Sequence, residues 1–543
     1  MNSLVVAAIA LVVLFLGYRF YAPVIERLFG VDPHRKTPAH TEYDGRDYIP
    51  AKNWLILFGH HFASIAGAGP ILGPVIAGMV WGWGPALLWI IGGSILLGGV
   101  HDFSALMVSI RHKGKSIADV AETTMGKTPR LIFSFLIWIV LVLVVAVFAA
   151  SAAKTLSTTP QVVIPTFGLI LVAILVGAMV YKLKLNLALS TAVGIGLLFG
   201  LIALGYYYPI NASFHFWLYV LFAYAFIASV LPVNILLQPR DYLAAFVLFF
   251  GLLVGYIGLL LTHPAVHTPL VVSFSGAKGP LWPMMCVIIA CGAISGFHSL
   301  VSGGTTSKQL PNEADAKKIG YGGMITEAAL AVLALVSVTA GLYWKGGPAG
   351  LVYPELMKGG NWIATFGKGY GQITKPIFGA LGMLIGITML KTFILTTLDS
   401  ATRITRYIGN ELFGERLRIR AMHNPYFNTA VVVAVALYFA LGSWQTIWPV
   451  FGAANQLIAA LVLLVVSTYL VTTRKNVWYC LIPGIFMLLT TTAALIWEVS
   501  RFFPQGKILL GTVGSVLLLL AGIVVSNALK ILFKKPVAHE ATG

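Results

Sequence analysis

A succession of apolar runs, each close to the roughly 20 residues an α-helix needs to cross bilayer hydrocarbon, restricts this chain more than any other feature. In lipid every backbone N–H and C=O must find a partner inside the protein, so such runs fold as helices. About fifteen segments meet the length rule: 2–20, 54–80, 86–110, 131–153, 162–183, 186–208, 214–232, 241–262, 281–304, 321–343, 374–397, 427–441, 446–472, 477–497 and 508–532. The expected fold class is an all-α polytopic membrane protein of about 15 transmembrane helices. With 58% hydrophobic and 10% charged residues, the composition excludes an ordinary soluble protein. The longest connections, 21–53, 344–373 and 398–426, leave no room for a soluble catalytic domain, and no enzymatic activity is expected.

A formal net charge of +18 invites a nucleic-acid reading, but that requires a basic face on a soluble module. The basic residues sort instead by side of the membrane. Threading the runs with the N-terminus outside gathers most Lys and Arg, including Arg19 to Lys52, Arg111 to Arg130, Lys308 to Lys318 and Arg403 to Arg420, on the cytoplasmic face. It leaves the C-terminus inside, as the excess of basic residues on that face requires. Residues 2–20 lack a basic leader and read as a retained first helix. Cys286, Cys291 and Cys480 form neither a disulfide framework nor a metal motif, and neither cofactor nor metal is expected.

The second run cannot be a continuous rod. It reads SIAGAGPILGP, with Gly67, Gly69, Pro70, Gly73 and Pro74 inside what should be helix. Proline removes a donor and clashes with the preceding turn, while glycines let backbones approach closely. The seventh run ends LPVNILLQPRDY, where Pro232 and Pro239 bracket Asn234 and Gln238 before Arg240 and Asp241. Interruptions in oppositely directed halves point to an inverted-repeat transporter with its site at the midplane. The repeats are expected at 54–208 and 209–400, preceded by an N-terminal helix and loop (1–53) and followed by a loop and four accessory helices (401–543). Substrate is expected between the breaks, against His61, Ser64, Gly67, Gly69, Pro232, Asn234 and Gln238.

Two polar stripes are candidates for ion coupling. In the ninth run His298, Ser302, Thr305 and Thr306 are spaced i, i+4, i+7, i+8, so one helical face carries an imidazole and three hydroxyls. Hydroxyls with backbone carbonyls suit a small hard cation, and histidine suits a proton. In the eleventh, Thr392, Thr396, Asp399 and Arg403 follow helical spacing, with Lys391 alongside. Ionisable groups within a membrane are costly and point to function, although Lys and Arg near a helix end also snorkel. His101 and Asp102 form a candidate proton relay or, equally, a fixed junction. Two other classes stay open: a membrane redox protein using His60 or His61, His101 and His298 as haem ligands, and a nutrient sensor that binds without transport.

Four segments, GHHFASIAGAGPILGP (59–74), GGVHDFSALMVSIRHKGKSIADV (98–120), LPVNILLQPRDYL (231–243) and GAISGFHSLVSGGTTSKQL (292–310), resemble the carbon starvation protein A family of bacterial transporters. The resemblance implies uptake of a small carbon source during nutrient limitation, pyruvate by proton symport in some members and peptides in others. It also implies the wider amino acid, polyamine and organocation superfamily, hence a leucine-transporter-like core of five plus five helices with extra helices at both ends. In that core the second and seventh runs would be the broken helices, and the ninth would lend hydroxyls to a coupling ion, H+ or Na+. This chain has shorter loops and a shorter tail than the best-known members, so the resemblance carries fold and class further than substrate.

Overall fold

The computed structural model describes residues 1–45, 47–233, 235–358, 362–442 and 444–532. In chain order the principal helices are α1 (Ser3–Phe29), α2 (Trp54–Ile65), α3 (Gly69–Val80), α4 (Trp83–Arg111), α5 (Ile117–Met125), α6 (Lys127–Thr158), α7 (Pro160–Val180), α8 (Leu187–Tyr207), α9 (Phe214–Val230) and α10 (Leu237–Thr262). They continue as α11 (Gly296–Gly304), α12 (Glu313–Gly341), α13 (Trp362–Ile373), α14 (Gly382–Gly409), α15 (Pro425–Ala440), α16 (Trp444–Thr472), α17 (Trp478–Phe502) and α18 (Ile508–Leu532).

Among the described residues eleven helices are long and apolar enough to cross a bilayer, and α2 with α3, bent by 43°, makes a twelfth span. The three remaining expected runs fold differently. α9 and α15 have 17 and 16 residues, short of the roughly 20 that span hydrocarbon. The run at 281–304 is interrupted: helical turns over 281–288 give way to an irregular stretch before α11 begins.

Local chemistry sets several boundaries. Asn53 caps α2 by accepting the Ile56 N–H at 2.9 Å, and Asn424 caps α15 ahead of Pro425 at its first position, where a missing N–H costs nothing. The core is built from long contacts: α2 against α10, α6 against α14, α11 against α16, and α12 against α3 and α13. Small residues make the closest approaches. A Cβ on Gly98 would stand 2.2 Å from the Ala293 carbonyl oxygen, and one on Gly296 would stand 2.2 Å from that of Asn455.

The connections holding Asp47, Asp119, Glu313 and Arg416 meet on one side of the molecule. There Arg111 pairs with Glu313, Arg130 with Asp119 and Glu122, Arg416 with Glu122, and Arg403 with Asp47. Burial pushes the Asp47 carboxyl up, but the Arg403 guanidinium and the Tyr407 hydroxyl outweigh it and hold the group below the usual carboxylate range.

Candidate functional site

The first break falls at Ala66–Ala68, inside the glycine-rich segment. A helix end leaves its last four carbonyls without intrahelical partners, and in a membrane core each needs one. All four of α2's are satisfied. Phe62 O accepts from Ala66 N at 2.9 Å and Ile65 O from Gly67 N at 2.8 Å. Ala63 O and Ser64 O accept the hydroxyls of Thr396 and Thr397 from α14, at 2.6 and 3.0 Å. Ser64 Oγ adds a 2.8 Å bond to Ser400 Oγ. One face of α14 thus holds the unwound end of α2.

The second break spans Ile289–Ser295, and polar side chains from α16 hold it in the same manner. Asn455 Oδ1 accepts the Phe297 N–H at 2.8 Å while Asn455 Nδ2 donates to Ser295 Oγ at 2.9 Å. Gln456 Nε2 donates to Cys286 O at 2.8 Å, and Trp89 Nε1 donates to Ile289 O at 3.2 Å. Asn455→Ala is expected to leave the buried Phe297 amide without an acceptor and to lower stability by about 1–3 kcal/mol. Thermal unfolding in detergent checks this, with Asn455→Asp, which keeps the acceptor, expected to lose less.

The start of α3, just past the first break, touches the second interrupted segment. A Cβ on Gly69 would lie 2.5 Å from Cys291 Sγ, and one on Gly73 2.6 Å from Ile288 O. This corrects the expected pairing of 67–74 with 232–239. Residues 231–236 link α9 to α10, whose first turns pack on the middle of α2, where His60 Nδ1 meets Asp241 Oδ2 at 2.7 Å. Pro232 is only half-buried and its carbonyl accepts from Ile235 N. Asn234 lies outside the described residues, as does the Gln238 side chain. The prolines there terminate and start helices rather than break a span, because the chain leaves α9 before the interior begins again with α10.

Between the two breaks the structure assembles a buried polar group. His61 Nδ1 and Thr306 Oγ1 lie 2.8 Å apart, joining the half-helix before the first break to the turn after α11. Asp102 is shared: its Oδ1 lies 2.7 Å from His101 Nδ1 and its Oδ2 2.8 Å from His298 Nδ1. His298 Nε2 stands 3.1 Å from Glu327 Oε2 on α12. His61, His101, Asp102, His298 and Glu327 are all fully buried. Among the described residues no cluster of three His, Cys, Asp or Glu could hold a metal.

The expected stripe on the ninth run does not persist. α11 ends at Gly304, so Thr306 turns to His61 while the Thr305 hydroxyl bonds Val301 O at 3.0 Å within its own helix. Ser302 Oγ is buried and has no partner among the described residues. Asp399 belongs to a separate group. With Asp241 it flanks Arg240, and Tyr224 OH donates to Asp399 Oδ2 at 2.6 Å. Lys391 is buried in α14, and among the described residues its Nζ has no partner. It is two residues from Phe393, about 200° round the helix, and so on the face away from the Thr396, Thr397 and Ser400 contacts with α2.

Glu327, Asn455 and Gln456 escaped the sequence reading. Each is a polar residue within a long apolar run, and for Glu327, the one carboxylate between Gly322 and Gly341, that isolation was itself a readable signal.

The family described as carbon starvation protein CstA matches residues 2–369 and 357–494. The peptide transporter CstA of Campylobacter jejuni is 32% identical over 93% of this chain and 81% of its own length. The pyruvate/proton symporter BtsT of Escherichia coli is 31% identical over 92% and 82%, and the peptide transporter CstA of Bacillus subtilis 29% identical over 98% and 97%. Among solved structures, the Eremococcus coleocola manganese transporter superposes with a TM-score of 0.53 at 12% identity, covering 90% of this chain and 98% of that one. A point mutant of the same transporter gives 0.55 at 13%. That likeness shows a shared fold. With its signature segments forming the broken helices and the buried polar group between them, the chain belongs to the carbon starvation protein CstA family.

Proposed function

We propose that this protein is a secondary active transporter that imports a small carbon source, a peptide or a pyruvate-like monocarboxylate, by proton symport and alternating access during carbon starvation. The observation that carries this reading is the contact of two interrupted helices beside a buried group of ionisable side chains, in a chain whose relatives are named peptide transporters and a pyruvate/proton symporter. Broken helices expose half-helix N-termini, whose amides attract a carboxylate. Rocking of the half-helices would open the touching breaks to either side.

The inverted repeat is redrawn accordingly. One half comprises α2–α3, α4, α6, α9 and α10; the other comprises 281–304, α12, α14, α15 and α16. In this division the short helices α9 and α15 hold equivalent fourth places, and α2 packs on α10 as α11 packs on α16. The hairpin α7–α8 becomes an insertion, with α1, α17 and α18 as flanking helices. The face bearing the Arg403, Arg130 and Arg416 pairs is cytoplasmic; with α9, 281–304 and α15 counted as crossings of the bacterial inner membrane, the N-terminus lies outside and the C-terminus inside.

Purified protein in proteoliposomes is expected to accumulate labelled pyruvate or dialanine under an inward proton gradient and to stop when a protonophore is added. Uptake indifferent to both proton and sodium gradients would remove the symport claim, and binding without accumulation would make the protein a sensor.

A further inference from the structure

Glu327 lies along α12 one turn beyond Gly323, fully buried; among the described residues its Oε1 has no hydrogen-bond partner and its Oε2 faces only His298. Its nearest ionisable neighbour is His298, whose Nε2 stands 3.1 Å from Oε2. His298 is engaged on its other nitrogen by Asp102, which also takes His101. On the same face of α12, Gly323 admits His61: a Cβ there would meet its Cδ2 at 3.2 Å and its Nε2 at 3.5 Å. That Nε2 is buried and without a partner.

The other elements packed on α12 bring no charge to Glu327. α1 over Ser3–Leu16 and α3 carry no titratable residue. α10 brings Tyr256, whose hydroxyl donates to Ala329 O. α13 brings Tyr370, bonded to Gly251 O, and the exposed Lys368, bonded to Gly350 O. Tyr321 donates to Ile95 O, and Lys317 pairs with Glu26 at the far end of α12.

Charge accounting then distinguishes the two carboxylates. Asp102 faces two imidazole nitrogens and is well served as an anion. Glu327 has one donor-capable neighbour for two oxygens. With both carboxylates ionised, His298 doubly protonated and His101 neutral, Asp102, His101, His298 and Glu327 together carry one negative charge in a fully buried setting; one proton on Glu327 makes them neutral. A buried excess charge is resolved most cheaply by protonation.

We infer that Glu327 is the residue that binds the transported proton, with His298 as the group that senses whether it is loaded. One proton enters from water on one side, forms the O–H of the Glu327 carboxyl, and leaves to water on the other. Coupling follows from where the groups sit. His298 rides on α11 and His61 on α2, the half-helices beside the breaks, whereas Glu327 sits on the unbroken α12. Movement of the half-helices alters the distance from imidazole to carboxylate and so the proton's affinity. This inference rests on the proton-symport reading.

The test uses two readouts on the full-length protein. In infrared spectra taken across pH, the wild type is expected to show the carbonyl stretch of a protonated buried carboxylic acid. That band is expected to lose one component in Glu327→Gln and a different one in Glu498→Gln, which removes the partnerless buried carboxylate of α17, and the Glu327 component is expected to shift but titrate in Glu327→Asp. In vesicles given labelled pyruvate or dialanine under an inward proton gradient, Glu327→Gln is expected to lose uphill accumulation. A band unchanged in Glu327→Gln, or accumulation by that variant equal to wild type, overturns the assignment and leaves the transport reading standing. A wild type that accumulates neither probe overturns the transport reading, while the band still decides whether Glu327 holds a proton. Should Glu327→Gln fail to fold, a band that does not shift in Glu327→Asp overturns the assignment.

Discussion

Arg240→Ala is expected to destabilise the protein by about 3–5 kcal/mol, because removing one member of a buried ion group strands the others. Arg240 is fully buried between Asp241 and Asp399, and its Nη1 also donates to Tyr224 OH at 2.6 Å. The alanine variant leaves Asp399, itself fully buried, with only the Tyr224 hydroxyl. Asp241 keeps His60. Thermal unfolding in detergent, read by tryptophan fluorescence, measures the loss. Arg240→Lys is expected to recover only part, since an ammonium cannot present the guanidinium's planar fork to two carboxylates. Combining Arg240→Met with Asp399→Leu is expected to recover more than either change alone, because no orphaned charge remains at that end. A loss below about 1 kcal/mol for Arg240→Ala would show that the group is solvated and is not a structural tie.

Gly73→Ala is expected to abolish transport and to cost about 1–3 kcal/mol through overpacking. The new methyl would sit 2.6 Å from the Ile288 carbonyl oxygen and 3.1 Å from Ile289 Cα, backbone atoms at the start of the second break, which no side-chain rotation can move aside. The same substitution at Gly200 or Gly522, where nothing lies within 4 Å, is expected to be neutral or slightly stabilising. Counterflow of labelled pyruvate and dialanine, paired with unfolding curves, separates lost movement from lost folding. Wild-type counterflow in Gly73→Ala would mean that the two breaks need not approach during the cycle.

The membrane class, most of the helices and the first interruption were legible in the sequence, since each depends on a local property. An apolar run of sufficient length has few alternatives in lipid. Glycine and proline crowded into residues 67–74 disrupt a helix wherever it packs. The sequence also singled out His61, His101, Asp102 and His298, as polar residues in apolar surroundings. It did not tell which of them meet. Asp102 and His298 are 196 positions apart and hydrogen-bond at 2.8 Å, a contact created by helix packing alone.

Tertiary structure alone decided the partner of the first break. Pro232 and Pro239 looked like a second interruption because proline chemistry is the same at a helix end as at mid-membrane, whereas Ile289–Ser295 contains no proline and betrays nothing by pattern. It is held by Asn455 and Gln456, more than 150 positions further on, which bond the backbone on either side of it at Phe297 and Cys286, and the Ser295 hydroxyl. The sequence by itself determined that the chain must be helical, membrane-spanning and broken near residue 67, because solvation of the backbone in lipid is settled residue by residue. Which broken ends touch, and which carboxylate faces which imidazole, was decided only once the helices packed, because those energies belong to pairs of groups that the sequence keeps far apart.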